Sequence, residues 1–381
     1  MPSTELRQNE LKHAKRLVVK VGSALVTKRT SAGPGVDTAA INRLMGQVIT
    51  LIQGGREVVL VCSGAVAAGC AELGLHNRPT DLAELQAVAA IGQRKLMSLL
   101  HSAAKRKGLA AGQMLLTRGD FDDRVRFLNI RNCAAKLHEL GAVPVLNEND
   151  TVAVEELRFG DNDLLAAMMA NAMRADALIL LTSVDGLLDE NNNVIDRVDS
   201  VLDAQQHART DMKTSWGSGG IKTKLDAARL VTEAGEVAVI APGSKKNVLI
   251  DLMNGEKIGT VFAPASRKLD SRQRWIGLTA RPAGAVSVDE GASRAIRERG
   301  KSLLASGITD VTGRFTRGDV LLVRDAQGKE LARGLTNYSA DELALIKGKR
   351  SDQFTKLLGR EGYAAVIHRD NLVVLSNNAE Q

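Results

Sequence analysis

The sequence predicts an α/β chain: an open, mostly parallel sheet with helices on both faces, followed by a small β-rich domain. Three observations predict it. Short runs of Val, Ile and Leu recur through the first two thirds without alternating apolar and polar residues, as strands covered on both faces require. Helix-length amphipathic segments separate these runs. Near residue 265 the pattern gives way to short strand-like runs divided by turn residues.

The elements follow in order. Leu17-Val18-Val19-Lys20-Val21 is the first expected strand. Val58-Val59-Leu60-Val61, Val143-Pro144-Val145-Leu146, Ala177-Leu178-Ile179-Leu180-Leu181 and Val237-Ala238-Val239-Ile240 are the next four. Helical patterns lie at about 38 to 54, 81 to 106, 123 to 139, 162 to 173 and 221 to 234. Strand, helix and strand at this spacing read as βαβ units. Beyond the polar stretch Arg267 to Arg274, the runs Val286-Ser287-Val288, Val320-Leu321-Leu322-Val323 and Leu372-Val373-Val374-Leu375 are separated by Arg317-Gly318-Asp319 and Gln327-Gly328-Lys329.

Composition narrows the function classes. The chain has 381 residues, 44% hydrophobic and 25% charged, which excludes disorder as the dominant state. A net charge of +7 admits anionic ligands without demanding nucleic acid, and 3% aromatic residues argue against a base-stacking surface. Cys62, Cys70 and Cys133 form no C-x-x-C pair, so the sequence points to a reducing cytoplasm rather than a disulfide scaffold or structural zinc site. Met1 to Arg16 lacks the apolar core of a signal peptide. The uncharged stretch from Val58 to Ala71 is too short to span a membrane. No G-x-x-x-x-G-K-[ST], G-x-G-x-x-G after a strand, H-E-x-x-H or G-x-S-x-G is present.

Four polar clusters remain, each where a strand is expected to end. Lys20, before Gly22 and Ser23, sits inside an apolar strand, where an ammonium is costly unless an anion meets it; an edge lysine reaching water is the other reading. Cys62-Ser63-Gly64-Ala65 leads into an Ala-rich helix, whose N-terminal amides suit a carboxylate or phosphate; simple capping by Ser63 is the other reading. Asn147-Glu148-Asn149-Asp150 and Gly160-Asp161-Asn162-Asp163 gather carboxylates that repel one another unless a cation meets them, and capping accounts for one residue rather than six. Trp216 to Lys224 is glycine-rich and places Lys222 and Lys224 in the first turn of a helix, against the macrodipole, a conflict that an anionic ligand would resolve; a flexible solvated loop is the other reading. Together they describe a cleft at the carboxyl ends of parallel strands, with cations for phosphate and carboxylates for an ammonium group.

Val18 to Ser23, Ser63 to Gly69, Gln113 to Arg118, Asn147 to Asp150, Phe159 to Asp163 and Gly217 to Lys224 resemble, in order, the glutamate 5-kinase family. Val286 to Ala292 and Val366 to Asn371 extend the resemblance along nearly the whole chain. It implies an amino acid kinase fold with a C-terminal PUA domain. The expected boundaries are 14–265 for the kinase domain, 266–283 for a linker and 284–371 for the PUA-like domain.

The resemblance further implies ATP-dependent phosphorylation of the glutamate side-chain carboxylate, the first step of proline synthesis. Such a carboxylate, with a pKa near ~4.3, is already ionised at neutral pH, so the reaction needs placement and charge neutralisation rather than a general base. The resemblance assigns catalysis to Lys20 and Lys224, oriented by Asp163. It assigns glutamate to Ser63, Asp150, Asp161, Asn162 and Arg158. ATP, with Mg²⁺ bridging its phosphates, falls to Lys20, Thr182, Ser183 and the run Ser218, Gly219, Gly220, Ile221, Lys222, Thr223 and Lys224. Ser183 stands where the family usually has Asp and cannot supply that charge. Feedback inhibition by proline, a homodimer or homotetramer, and hand-over of the labile acyl phosphate to glutamyl phosphate reductase are also implied.

The alternatives are another kinase of the same fold, acting on acetylglutamate, aspartate or UMP, and an RNA-binding PUA protein. Acetylglutamate has no free ammonium, so Asp150 and Asp161 count against it. Residues 284–381 hold 15 Lys plus Arg against 13 Asp plus Glu, too balanced for a dedicated RNA surface, although Lys347, Lys349 and Arg350 leave nucleic acid open.

Overall fold

The computed structural model describes residues 3–30, 33–153, 162–207, 220–266 and 268–375. The chain divides into two compact units, Met1–Lys268 and Leu269–Gln381.

The first unit is built on strands β1 (Arg16–Val21), β4 (Glu57–Cys62), β5 (Ala110–Leu116), β6 (Ala142–Glu148), β7 (Ala177–Thr182), β8 (Arg197–Val198), β9 (Val237–Pro242) and β10 (Thr260–Phe262). A separate hairpin pairs β2 (Thr27–Thr30) with β3 (Gly33–Val36). Among the described residues the main sheet has the order β5-β6-β4-β1-β7-β9-β10-β8. All pairs from β5 to β9 are parallel; β10 runs antiparallel to β9, and β8 pairs parallel with β10, so these two strands at that edge run against the rest. Parallel neighbours need crossovers. They are made by α1 (Thr38–Gln53), α2 (Ala65–Leu73), α3 (Leu82–Lys105), α4 (Arg124–Glu139), α5 (Asn162–Met173) and α6 (Ile221–Thr232). Asp37, Asp81 and Asp123 cap the starts of α1, α3 and α4 by accepting from backbone amides. The unbroken apolar runs are strands buried along their whole length, as in β6, β7 and β9.

The hydrophobic pattern does not announce β5. It is an edge strand, largely exposed, and its Ala-Ala-Gly-Gln-Met opening carries little β preference. Where α2 crosses α3, two glycines meet. A Cβ on Gly92 would lie 1.9 Å from the Ala65 carbonyl oxygen, and one on Gly69 would lie 1.9 Å from that of Val88. This close approach fixes the loop Ser63-Gly64, whose glycine has φ of +118°.

The N-terminal segment is bound into the same unit by Arg7, which is fully buried. Its guanidinium donates to the carbonyls of Ile258 and Gly259, each at 2.9 Å, and to Asp196 Oδ1 at 3.0 Å. Among the described residues no helix is long and apolar enough to cross a membrane.

In the second unit, β11 (Gly284–Val288), β12 (Ile308–Gly313), β13 (Val320–Arg324), β14 (Glu330–Thr336) and β15 (Ile367–Val374) form a sheet of order β12-β11-β13-β14-β15. Helix α7 (Glu290–Arg299) packs with it around a core that includes Val286, Ile296, Leu321, Leu331 and Tyr338. Between the two expected domains, Ser271–Arg274 and Trp275–Thr279 are helical turns, and Trp275 to Thr279 are buried.

Candidate functional site

Parallel strands bring their carboxyl ends to one edge of the sheet. Read across it, β6 ends in Asn147 and Glu148, β4 runs into Ser63, β1 ends near Lys20, and β7 ends in Thr182. Lys20 is therefore the central residue of the row. Its register partners are Val61 on one side and Leu180 on the other, and it is 3% exposed.

An ammonium so placed needs an anion, and Asp163 supplies one. Asp163 lies in the first turn of α5, where the helix dipole favours a carboxylate, and is fully buried. Lys20 Nζ stands 2.5 Å from its Oδ1. Lys224 Nζ donates to its Oδ2 at 2.9 Å. Lys224 belongs to the first turn of α6, so its charge opposes that helix dipole, and Asp163 offsets the penalty. Thr223 Oγ1 lies 3.2 Å from the same Oδ2 and 2.9 Å from the Gly220 carbonyl. One carboxylate thus binds lysines from two elements, β1 and α6. The trio carries one surplus positive charge in a region removed from water, which attracts a further anion. The neighbouring Cys62 thiol shows how dry the region is: burial pushes its pKa up to about 12, against the lowering field of Lys20.

On the β4–β6 side the groups are amides, a hydroxyl and a carboxylate. Asn162 Nδ2 donates to Asn147 Oδ1 at 2.8 Å, to Ser63 Oγ at 3.0 Å and to the Cys62 carbonyl at 3.3 Å. Asn147 Nδ2 donates in turn to Gln93 Oε1 at 2.7 Å. Asp150 stands in the turn after β6, and burial raises its carboxyl pKa to about 6, against the opposing charge of Arg78. This set offers hydrogen-bond donors and acceptors together with the Asp150 carboxyl in the field of Arg78, groups able to meet both the ammonium and a carboxylate of an amino acid.

On the β7 side, Thr182 is buried and its carbonyl accepts from Gly243 N at 2.8 Å, while Ser183 is exposed. Gly220 precedes α6, Ile221 is buried and Lys222 is exposed. The structure thus brings Lys20, Ser63, Asn162, Asp163, Thr223 and Lys224 into contiguous contact through Asp163 and Asn162, which are consecutive in α5. Asp150, Thr182 and Ser183 lie along the same edge. Arg158, Asp161, Ser218 and Gly219 lie outside the described residues. Gln93 was not among the expected site residues. It sits on α3, and nothing in its own sequence surroundings marks it, because its partner Asn147 is 54 positions away.

In the second unit, Lys347 Nζ lies 3.7 Å from Asp310 Oδ1, so the patch of Lys347, Lys349 and Arg350 is partly self-neutralised.

Residues 15–241 match the amino acid kinase family and residues 284–358 match the PUA domain. A glutamate 5-kinase of Syntrophus aciditrophicus (strain SB) is 43% identical over 377 residues, covering 97% of this chain and 97% of that relative. A glutamate 5-kinase of Methylococcus capsulatus (strain ATCC 33009 / NCIMB 11132 / Bath) is 44% identical over 373 residues, covering 96% of this chain and 99% of the relative. Among solved structures, the crystal structure of UMP kinase from Bacillus anthracis aligns with a TM-score of 0.46 and 15% identity, over 66% of this chain and 97% of that one.

Proposed function

The chain belongs to the amino acid kinase family and, within it, to the glutamate 5-kinases; from that premise we propose that it transfers the γ-phosphoryl group of ATP to the side-chain carboxylate of L-glutamate. The product is L-glutamyl 5-phosphate, at the first step of proline biosynthesis. The observation that carries this reading is the order of groups along one sheet edge. Amides, Ser63 and Asp150 stand at β6 and β4, Lys20 at the central β1, and Thr182 at β7. An amino acid on one side and a nucleotide on the other would meet at the lysines.

In the reaction, a glutamate carboxylate oxygen forms a bond to the γ-phosphorus while the bond from phosphorus to the β,γ-bridging oxygen breaks, and ADP leaves. The attacking carboxylate is ionised at neutral pH, so no proton has to be removed first. Lys20 and Lys224 act by placing positive charge where negative charge accumulates on the transferred group, and Asp163 holds them there. Ser63 and Asn162 bind the glutamate, and Asp150 answers its α-ammonium, joined in this reading by Asp161 and Arg158. Thr182, Ser183 and the segment from Ser218 to Lys224 bind ATP. Magnesium enters as part of the nucleotide substrate. Asp163 spends its oxygens on the two lysines, and among the described residues no group of three or more acidic, His or Cys side chains could hold an ion. That arrangement suits a cation carried by phosphate oxygens and water.

The reading includes a cytoplasmic enzyme, consistent with unpaired Cys62, Cys70 and Cys133. It also includes feedback inhibition by proline, a homo-oligomer, and delivery of the short-lived acyl phosphate to glutamyl phosphate reductase.

The test is hydroxamate formation from the acyl phosphate, with ATP, Mg²⁺ and L-glutamate, with and without proline. Glutamate-dependent hydroxamate, suppressed by proline, is expected. Equal or better turnover of acetylglutamate, aspartate or UMP in a coupled ADP-release assay refutes the substrate assignment.

A further inference from the structure

Asn162 can present either its amide oxygen or its amide nitrogen to a ligand, and the two choices select opposite chemistries. The structure fixes the choice through two groups that cannot be reversed. At one end, the Glu148 backbone N–H, an obligate donor, donates to Asn147 Oδ1 at 2.9 Å. At the other end, the Cys62 carbonyl, an obligate acceptor, receives Asn162 Nδ2 at 3.3 Å. Between them, Asn147 Oδ1 also accepts from Asn162 Nδ2, and Asn147 Nδ2 donates to Gln93 Oε1. Reversing either amide would set oxygen against oxygen at one of these contacts.

Two consequences follow for the atoms left over. Asn162 Oδ1 is buried and has no hydrogen-bond partner among the described residues. A buried acceptor in that state is costly unless a ligand donates to it. Ser63 Oγ already accepts from Asn162 Nδ2, so its own proton is directed elsewhere, as a donor. An acceptor and a donor side by side match the ammonium and the carboxylate of a free α-amino acid.

We propose that Gln93 and Asn147 are positioning residues that lock the Asn162 amide with its oxygen toward the substrate ammonium, and so make the site select amino acids whose α-amino group is free. This inference deepens the glutamate kinase reading and rests on it. Gln93 is half-buried on α3, so it can be altered without opening a core cavity.

The experiment compares kcat/KM for L-glutamate with kcat/KM for glutarate, which differs only in lacking the amino group. It uses the full-length wild type, Gln93→Met and Gln93→Glu. Met keeps the length of the side chain and removes the acceptor; Glu keeps the acceptor. In Gln93→Met the preference for L-glutamate over glutarate should fall roughly tenfold, the effect of losing one oriented hydrogen bond to a charged group. The KM for ATP should stay near its wild-type value, and Gln93→Glu should retain the preference. An active wild type with an unchanged preference in Gln93→Met, or with equal losses in both variants, overturns the inference alone. A wild type that makes no glutamyl phosphate overturns the kinase reading and this inference with it.

Discussion

Replacing Asp163 by Asn tests the centre of the site. The substitution keeps the shape and removes the charge that faces two buried ammonium groups, at 2.5 Å and 2.9 Å. At an effective dielectric of about 20, opposite unit charges about 4 Å apart attract by ~4 kcal/mol, and Asp163 makes two such contacts. The repulsion between the lysines is the same in both proteins and drops out of the difference. What offsets part of the gross loss is the desolvation of the Asp163 charge, several kcal/mol per buried ion, which the neutral amide is spared. The remainder agrees with the ~3–5 kcal/mol lost when one member of a buried ionic cluster is removed. For a unit of this size each kcal/mol lowers Tm by about 2–4 °C, so Asp163→Asn should melt roughly 6–20 °C below the wild type. The cluster would then carry two surplus positive charges instead of one. Added ATP should therefore raise the Tm of the variant more than that of the wild type, because its phosphates replace the lost anion. Turnover should nevertheless fall by ~10²–10⁴, since the lysines lose the group that places them. Thermal melts with and without ATP, together with a coupled ADP-release assay at saturating L-glutamate, read both quantities. A variant that melts within about 2 °C of the wild type and turns over at a similar rate refutes the reasoning.

Four further outcomes are expected. Lys20→Ala and Lys224→Ala should each lose ~10²–10⁴ in kcat with little change in glutamate affinity, as steady-state kinetics will show. The KM for L-glutamate should rise as pH falls through about 6, where Asp150 takes up a proton and no longer answers an ammonium; an Asp150→Asn variant should lack that inflection. The sign for stability is the reverse of the usual carboxylate case. The folded pKa lies above the unfolded one, so ionising Asp150 in its buried position lowers stability as pH rises toward about 6, and Asp150→Asn should melt higher at neutral pH. Gly92→Ala places a methyl group 1.9 Å from the Ala65 carbonyl oxygen, so α2 and α3 must part. This should cost ~1–3 kcal/mol by denaturant titration and weaken glutamate binding through displacement of Ser63.

Much of this architecture was legible because strands buried on both faces leave unbroken apolar runs. The helix Asn162–Met173 and the strand Ala177–Thr182 lie where the pattern puts them. The edge strand Ala110–Leu116 was not legible, because one side of it meets solvent and tolerates Gly and Gln. At the site, Lys20 was visible as a charge inside a run of valines, and Asp163 as part of an unexplained acidic cluster. The pairing of Asp163 with both lysines could not be read from spacing, since 61 positions separate it from Lys224. Gln93 was invisible for the same reason: its meaning comes from Asn147 at the end of a strand 54 positions away.

The clasp made by Arg7 has a bearing on how the protein is made. The Ile258 carbonyl that its guanidinium holds lies 251 positions further along the chain. At about 5–20 residues per second, a ribosome takes on the order of 10–50 s to supply that partner after Arg7 has been synthesised. Through that interval the guanidinium must stay hydrated, and the N-terminal segment joins its unit only when the strand Thr260–Phe262 has emerged. Docking of the N-terminal segment is therefore a late event in the synthesis of this unit, governed by the last strand to arrive rather than by the first.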